Sequence, residues 1–97
     1  MADLIITAKS VTGHCAAGIQ PGDRIVLRGA NLSLTESDRV CSFALANIYP
    51  AVFAARLGKD LKDLGLTERT VQCIDPGPPY SEGGTVLFEV KTLAADE

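Results

Sequence analysis

The stretch from Val40 to Leu57 limits what this chain can fold into more than any other. Val40, Cys41, Phe43, Ala44, Leu45, Ala46, Ile48, Ala51, Val52, Phe53, Ala54 and Ala55 are apolar and fall on nearly every face of a helix. A helix that is apolar all round is buried on more than one side. The chain has 97 residues, enough for one small domain and no second one. One sheet can cover one side of the helix, so the other side is expected at a subunit interface. Pro50 removes a backbone donor and is expected to kink or split the helix near Asn47. Gly58 is a natural stop. Upstream, Thr35 or Ser37 is expected to cap the helix, with Glu36 and Asp38 favourable near its positive end. Asn47, Pro50 and Arg56 interrupt the apolar run, which is too short to span a bilayer.

Around this helix the sequence reads as strands. Leu4 to Ala8 is a short β-branched run, and Val11 extends it. Thr12 to Gly18 is a loop of small residues. Pro21-Gly22-Asp23 is a turn signal, because Pro fixes φ and Gly permits positive φ. Arg24 to Arg28 follows as a strand, and Ala30 to Ser37 as a connector. After the helix, Lys59 to Leu66, with Leu61, Leu64 and Leu66 among charges, predicts a short extra turn or helix. Thr70 to Ile74 is the third strand, expected near the sheet centre. Residues 75–84, with three prolines and three glycines, form a stiff loop. Thr85 to Val90 is the fourth strand, with Val86, Phe88 and Val90 on one face. The expected fold is α+β: a single domain over residues 1–97 in the order β-β-α-β-β. Its sheet is mainly antiparallel, one Pro-kinked helix packs on a face, and residues 94–97 are a frayed tail.

Charge excludes some partners. The net charge is −3, and the nine Lys and Arg are scattered without a run. Nothing here would neutralise a phosphate backbone, and the few aromatics do not alternate with basic residues, so nucleic acid is not expected. The N-terminal residues carry neither a basic region nor a long apolar run, so no export signal or membrane span is read and the expected location is cytoplasmic. Three cysteines, an odd number, then imply free thiols or ligands.

Cys15, Cys41 and Cys73 lie in three different elements. With His14 they complete the arithmetic of a Cys3His site for zinc, or of ligands for an iron–sulfur cluster. No Cys-x-x-Cys pair is present, and the plainer reading makes Cys41 and Cys73 small apolar core residues. As the only histidine, His14 is the sole candidate base for a thiol nucleophile at Cys41 or Cys73. Asp75 is a further catalytic candidate: if the third strand continues, it shares a face with Cys73. A carboxylate there raises a thiol pKa instead of activating it, and the plainer role for Asp75 is a turn residue before Pro76. Tyr80, at the centre of the Pro-Gly loop, is the candidate ligand-contacting residue.

The segments Val40 to Pro50, Leu57-Gly58, Cys73-Ile74-Asp75-Pro76-Gly77 and Thr85 to Val90 resemble a family of small uncharacterised prokaryotic proteins of about this length. Its members carry a cysteine after the first strand, a cysteine opening an aromatic-rich helix, and a cysteine two residues before an aspartate. Cys15, Cys41, Cys73 and Asp75 occupy the matching places. Many members have tryptophan where this chain has Phe43 and Leu45, and Asp-Gly where it has Asp75-Pro76-Gly77. The resemblance implies that the three cysteines act as a group, and it implies no reaction.

The function expected first is an accessory or interaction subunit, within a larger enzyme or a homo-oligomer. The alternatives are a metal or iron–sulfur module using Cys15, Cys41, Cys73 and His14, and a small thiol-dependent enzyme.

Overall fold

The computed structural model describes residues 2–93, and the expected tail at 94–97 lies outside them. Two long strands organise the domain. In β1 (Asp3–Thr12) Leu4, Ile6 and Ala8 are buried, and in β5 (Thr85–Leu93) Val86, Phe88 and Val90 are buried. This alternation puts one face of each strand against the core. The two strands pair antiparallel from Asp3 opposite Leu93 to Thr12 opposite Thr85, with a register shift at Lys9. On the other side of β1 lies β2 (Arg24–Arg28), entered through the expected Pro21-Gly22-Asp23 turn, where Gly22 has φ 94°. Asp23 closes that turn: its carboxylate accepts the Gln20 N–H at 2.9 Å, and its own N–H reaches the Gln20 carbonyl at 3.0 Å.

The sheet has five antiparallel strands in the order β3-β2-β1-β5-β4, and the domain is α+β as expected. β3 (Asn31–Leu32) is a two-residue strand inside the stretch read as connector. β4 (Thr70–Gln72) is shorter than expected and lies at the sheet edge instead of near the centre. The long β1–β5 ladder takes the central place. β5 itself runs three residues past Val90.

The helix α1 (Ser42–Arg56) covers the face of the sheet that carries Leu4, Ile6, Val86, Phe88 and Val90. It runs through Pro50 as one element and is not split. Proline in a helix interior costs about 3 kcal/mol. Ile48 and Val52 are buried on either side of Pro50, each contributing about 1.5–3 kcal/mol, so packing offsets the missing hydrogen bond. Two 3-10 turns, Leu61–Leu64 and Thr67–Arg69, then carry the chain to β4.

Neither Thr35 nor Ser37 caps the helix. Cys41 holds the cap position in extended conformation and makes no side-chain cap. Ser37 and Asp38 serve β2 instead. The Ser37 Oγ accepts the Val26 N–H and the Asp38 carboxylate accepts the Arg24 N–H, both at 2.9 Å. Beside them Arg28 forks onto Glu36 at 2.6 and 2.9 Å and reaches Asp3 at 3.4 Å. The Arg28 fork, helped by Ser33, lowers the Glu36 carboxyl from its ordinary 4.5 to about 2. Residues 33–38 thus form a strap that covers outward backbone groups of β2, which an open edge would leave free for another strand.

Candidate functional site

Four of the sequence candidates, His14, Cys15, Cys73 and Asp75, lie at one end of the sheet, where the loop after β1 crosses the loop before β5. Gly13 and Gly84 make that crossing possible. A Cβ on Gly84 would lie 2.3 Å from the His14 carbonyl oxygen, and one on Gly13 would lie 2.8 Å from the Gly84 nitrogen. Cys15 therefore runs beside Gly84. Cys73 is also next to Gly84, buried, with its Sγ 3.7 Å from the Gly84 carbonyl oxygen. Cys73 belongs to the apolar core, and Cys15 and Cys41 pack against that core half-buried. His14 is exposed.

β4 ends at Gln72, so Cys73 and Asp75 do not share a strand face. Asp75 instead organises the Pro-Gly loop. Its carboxylate accepts the Gly77 N–H at 2.8 Å and the hydroxyl of Ser81. Its carbonyl accepts from Gln72 Nε2 and Thr85 Oγ1, each at 3.0 Å. Ser81 Oγ in turn accepts the Gly83 N–H at 3.1 Å. These are the contacts of a turn-forming aspartate. Tyr80, at the loop tip, is exposed. Among the described residues, no three His, Cys, Asp or Glu side chains converge in a way that could hold a metal ion, so Cys15, Cys41, Cys73 and His14 form no ready-made ligand set.

The helix presents a different kind of surface. Ala44, Ile48, Ala51, Val52 and Ala55 face the sheet. Phe43, Ala46, Pro50, Phe53 and Leu57 are all exposed, with Tyr49 beside them. No charged residue lies between Val40 and Ala55. Next to this stripe a groove of about 660 Å³ runs between α1 and edge strand β4. Pro50, Ala51 and Ala54 form one wall, Val71 and Gln72 the other, and Leu64 and Leu66 close the end. Asn47 donates from Nδ2 to the Gln72 carbonyl at 3.0 Å and ties the helix to the edge strand. Pro50 has no N–H, so the Ala46 carbonyl lacks its usual donor four residues on.

Comparison of the chain with protein-family models, with curated proteins and with solved structures gives no match.

The geometry itself therefore carries the functional argument. The all-round apolar character of α1 was visible in the sequence, but its division into two stripes was not read there. The signal was present: Phe43, Ala46, Pro50, Phe53 and Leu57 are spaced 3, 4, 3 and 4 residues apart. The groove was not legible at all, because Leu64, Leu66 and Val71 reach the helix only through the turns that follow it. Among the described residues, no helix is long and apolar enough to cross a membrane.

Proposed function

We propose that this protein is an interaction subunit, accessory to a larger enzyme or part of a homo-oligomer, and that the outer face of α1 is its binding surface. The observation that supports this reading is the uncharged stripe of Phe43, Ala46, Tyr49, Pro50, Phe53 and Leu57, exposed on a helix whose opposite face already packs on the sheet. A contiguous apolar patch rimmed by polar residues marks an interaction site more often than a bare monomer surface. Aromatic side chains are the residues that most often anchor such contacts.

The test is the native size of the protein in gently lysed source cells, followed by an antibody through size-exclusion chromatography. The wild-type chain is expected well above its own 10.2 kDa. Phe53→Asp, which puts a carboxylate in the middle of the stripe, is expected to run at the size of one chain while keeping its circular dichroism spectrum. Wild-type protein running as a single chain in the lysate and staying a single chain when purified and concentrated would remove this reading.

A further inference from the structure

We infer that the surface covering the α1 stripe is the α1 stripe of a second copy, paired antiparallel about a two-fold axis near Pro50; this inference rests on the reading of α1 as an interface. Three observations point to a copy of this chain. The first is spacing. The exposed residues Phe43, Ala46, Pro50, Phe53 and Leu57 recur at alternating intervals of 3 and 4. That is the spacing of a seam that receives another helix at a small crossing angle. Among the described residues, α1 is the only α-helix, so the helix this chain itself can offer is α1.

The second observation is charge. Each copy carries a net charge of −3, yet the stripe from Val40 to Ala55 carries none. Two such stripes meet without like-charge repulsion, whereas a charged partner surface would lose its hydration there without gaining an ion pair. Of the two charges that flank it, Arg39 donates to the Gly18 carbonyl at 3.1 Å, and Arg56 is buried with its guanidinium 5.9 Å from the centre of the Phe53 ring. The seam runs large-small-small-large-large, with Phe43 and Leu57 at the two ends and Phe53 inside it next to Pro50 and Ala46. Antiparallel pairing about Pro50 sets Phe43 of one copy against Leu57 of the other, and Phe53 beside the small Ala46.

The third observation is area. Phe43 is 72% exposed, Phe53 49% and Leu57 58%, and Leu64 on the rim of the groove is 51% exposed. With Tyr49 these side chains offer roughly 500 Å² per copy, given about 150–250 Å² for a whole aromatic side chain. Two copies reach about 1,000 Å², the lower bound for a specific interface. The groove lies on the Asn47 and Ala54 side of the seam, so the two-fold brings the two grooves side by side. The expected product is a dimer that dissociates on dilution.

Sedimentation velocity of the purified full chain over a concentration series tests this directly. The wild-type chain is expected to shift from one to two copies as concentration rises. Phe53→Asp is expected to weaken the dimer at least about 30-fold, the effect of losing a central anchor. Leu34→Asp removes a still more exposed leucine, in the strap over β2 and outside the stripe, and is expected to change nothing. Orientation is tested by rescue. Phe43→Lys and Leu57→Glu each weaken the homodimer, and mixing the two variants is expected to restore a heterodimer, since residue 43 meets residue 57 of the partner. Wild-type protein that stays monomeric at every concentration, or a Phe53→Asp variant that associates normally, overturns the inference. Absence of rescue on mixing overturns the antiparallel register. A purified monomer combined with a large species in the source-cell lysate overturns the second copy as occupant while the interface reading stands; a single chain in both removes both.

Discussion

The thiol of Cys73 accepts the backbone N–H of Val86 at 3.2 Å. The Cys73 N–H reaches back to the Val86 carbonyl at 2.9 Å. In a regular antiparallel pair the second bond would go to the Cys73 carbonyl. Here the chain turns away after Gln72, and the side chain takes over the ladder position. A cysteine that looked like a ligand or nucleophile thus terminates a strand pair.

Cys73→Ala removes the acceptor and leaves the Val86 N–H buried without one. The expected loss is about 1–3 kcal/mol of stability. Cys73→Ser keeps an acceptor at a shorter reach and is expected to lose less. Denaturant unfolding of the two variants checks the order. Alkylation of the native protein is expected to label Cys15 and Cys41, which are half-buried, ahead of Cys73. Equal labelling rates at all three would show that the β4–β5 end opens freely.

Two glycines with similar backbone angles separate conformational strain from close approach. Gly22 has φ 94° and open space where a Cβ would stand; Gly84 has φ 101° and the His14 oxygen 2.3 Å from that point. Gly22→Ala is expected to cost about 1–2 kcal/mol, the penalty of left-handed backbone. Gly84→Ala adds a backbone clash that no rotamer relieves, so it is expected to exceed about 4 kcal/mol or to prevent folding. Thermal unfolding of both variants makes the comparison. Similar costs at the two positions would mean that the two loops do not cross as described.

How much of this was legible in the sequence depended on the range of the interactions. The alternation of Val86, Phe88 and Val90, the Pro21-Gly22-Asp23 turn and the stop at Gly58 are local, and each was read where it occurs. Cap assignment failed because Ser37 and Asp38 answered a demand from β2, which lies next to them only in space. The strand expected near the centre lies at the edge because strand order depends on pairing between distant segments, and β1 and β5 claim each other along nearly their full length. The three cysteines invited grouping by residue type. The structure assigns Cys73 to the core and Cys15 to a loop crossing made by Gly84, a relation with no signature in residue spacing.

The strap over β2 is expected to weaken in acid. Glu36 has its carboxyl pKa lowered from 4.5 to about 2, chiefly by its hydrogen bonds to Arg28. A carboxyl depressed in the folded state adds stability above its unfolded value, and that stability is lost as pH falls through the folded value. The contribution is therefore complete above about pH 4.5, declines below that, and is gone near pH 2. Glu36→Gln cannot titrate. Wild type is expected to be the more stable of the two at pH 7, with the gap closing as pH falls from 4.5 to 2. A gap of constant size over that range would mean that the Arg28–Glu36 charge contributes nothing to folding.

Pro50 stabilises nothing in the isolated chain. Its ring is exposed, it removes the donor for the Ala46 carbonyl, and Ile48, Ala51, Val52 and Ala55 hold the helix to the sheet without it. Proline in a helix interior is about 3 kcal/mol worse than alanine. Pro50→Ala is therefore expected to stabilise the monomer by up to about 3 kcal/mol. For a domain of this size each kcal/mol raises the melting temperature by about 4–8 °C, so the shift is large enough to measure directly. Amide exchange supplies the mechanism: the new N–H at position 50 is expected to be protected by the Ala46 carbonyl. The same substitution flattens the middle of the exposed stripe and narrows the groove wall that Pro50 forms. The cost falls at the centre of the exposed stripe and in the groove wall, which fits a role for Pro50 in the surface it shapes. A variant that is less stable than wild type would place Pro50 among the residues that hold the fold, and would remove that argument.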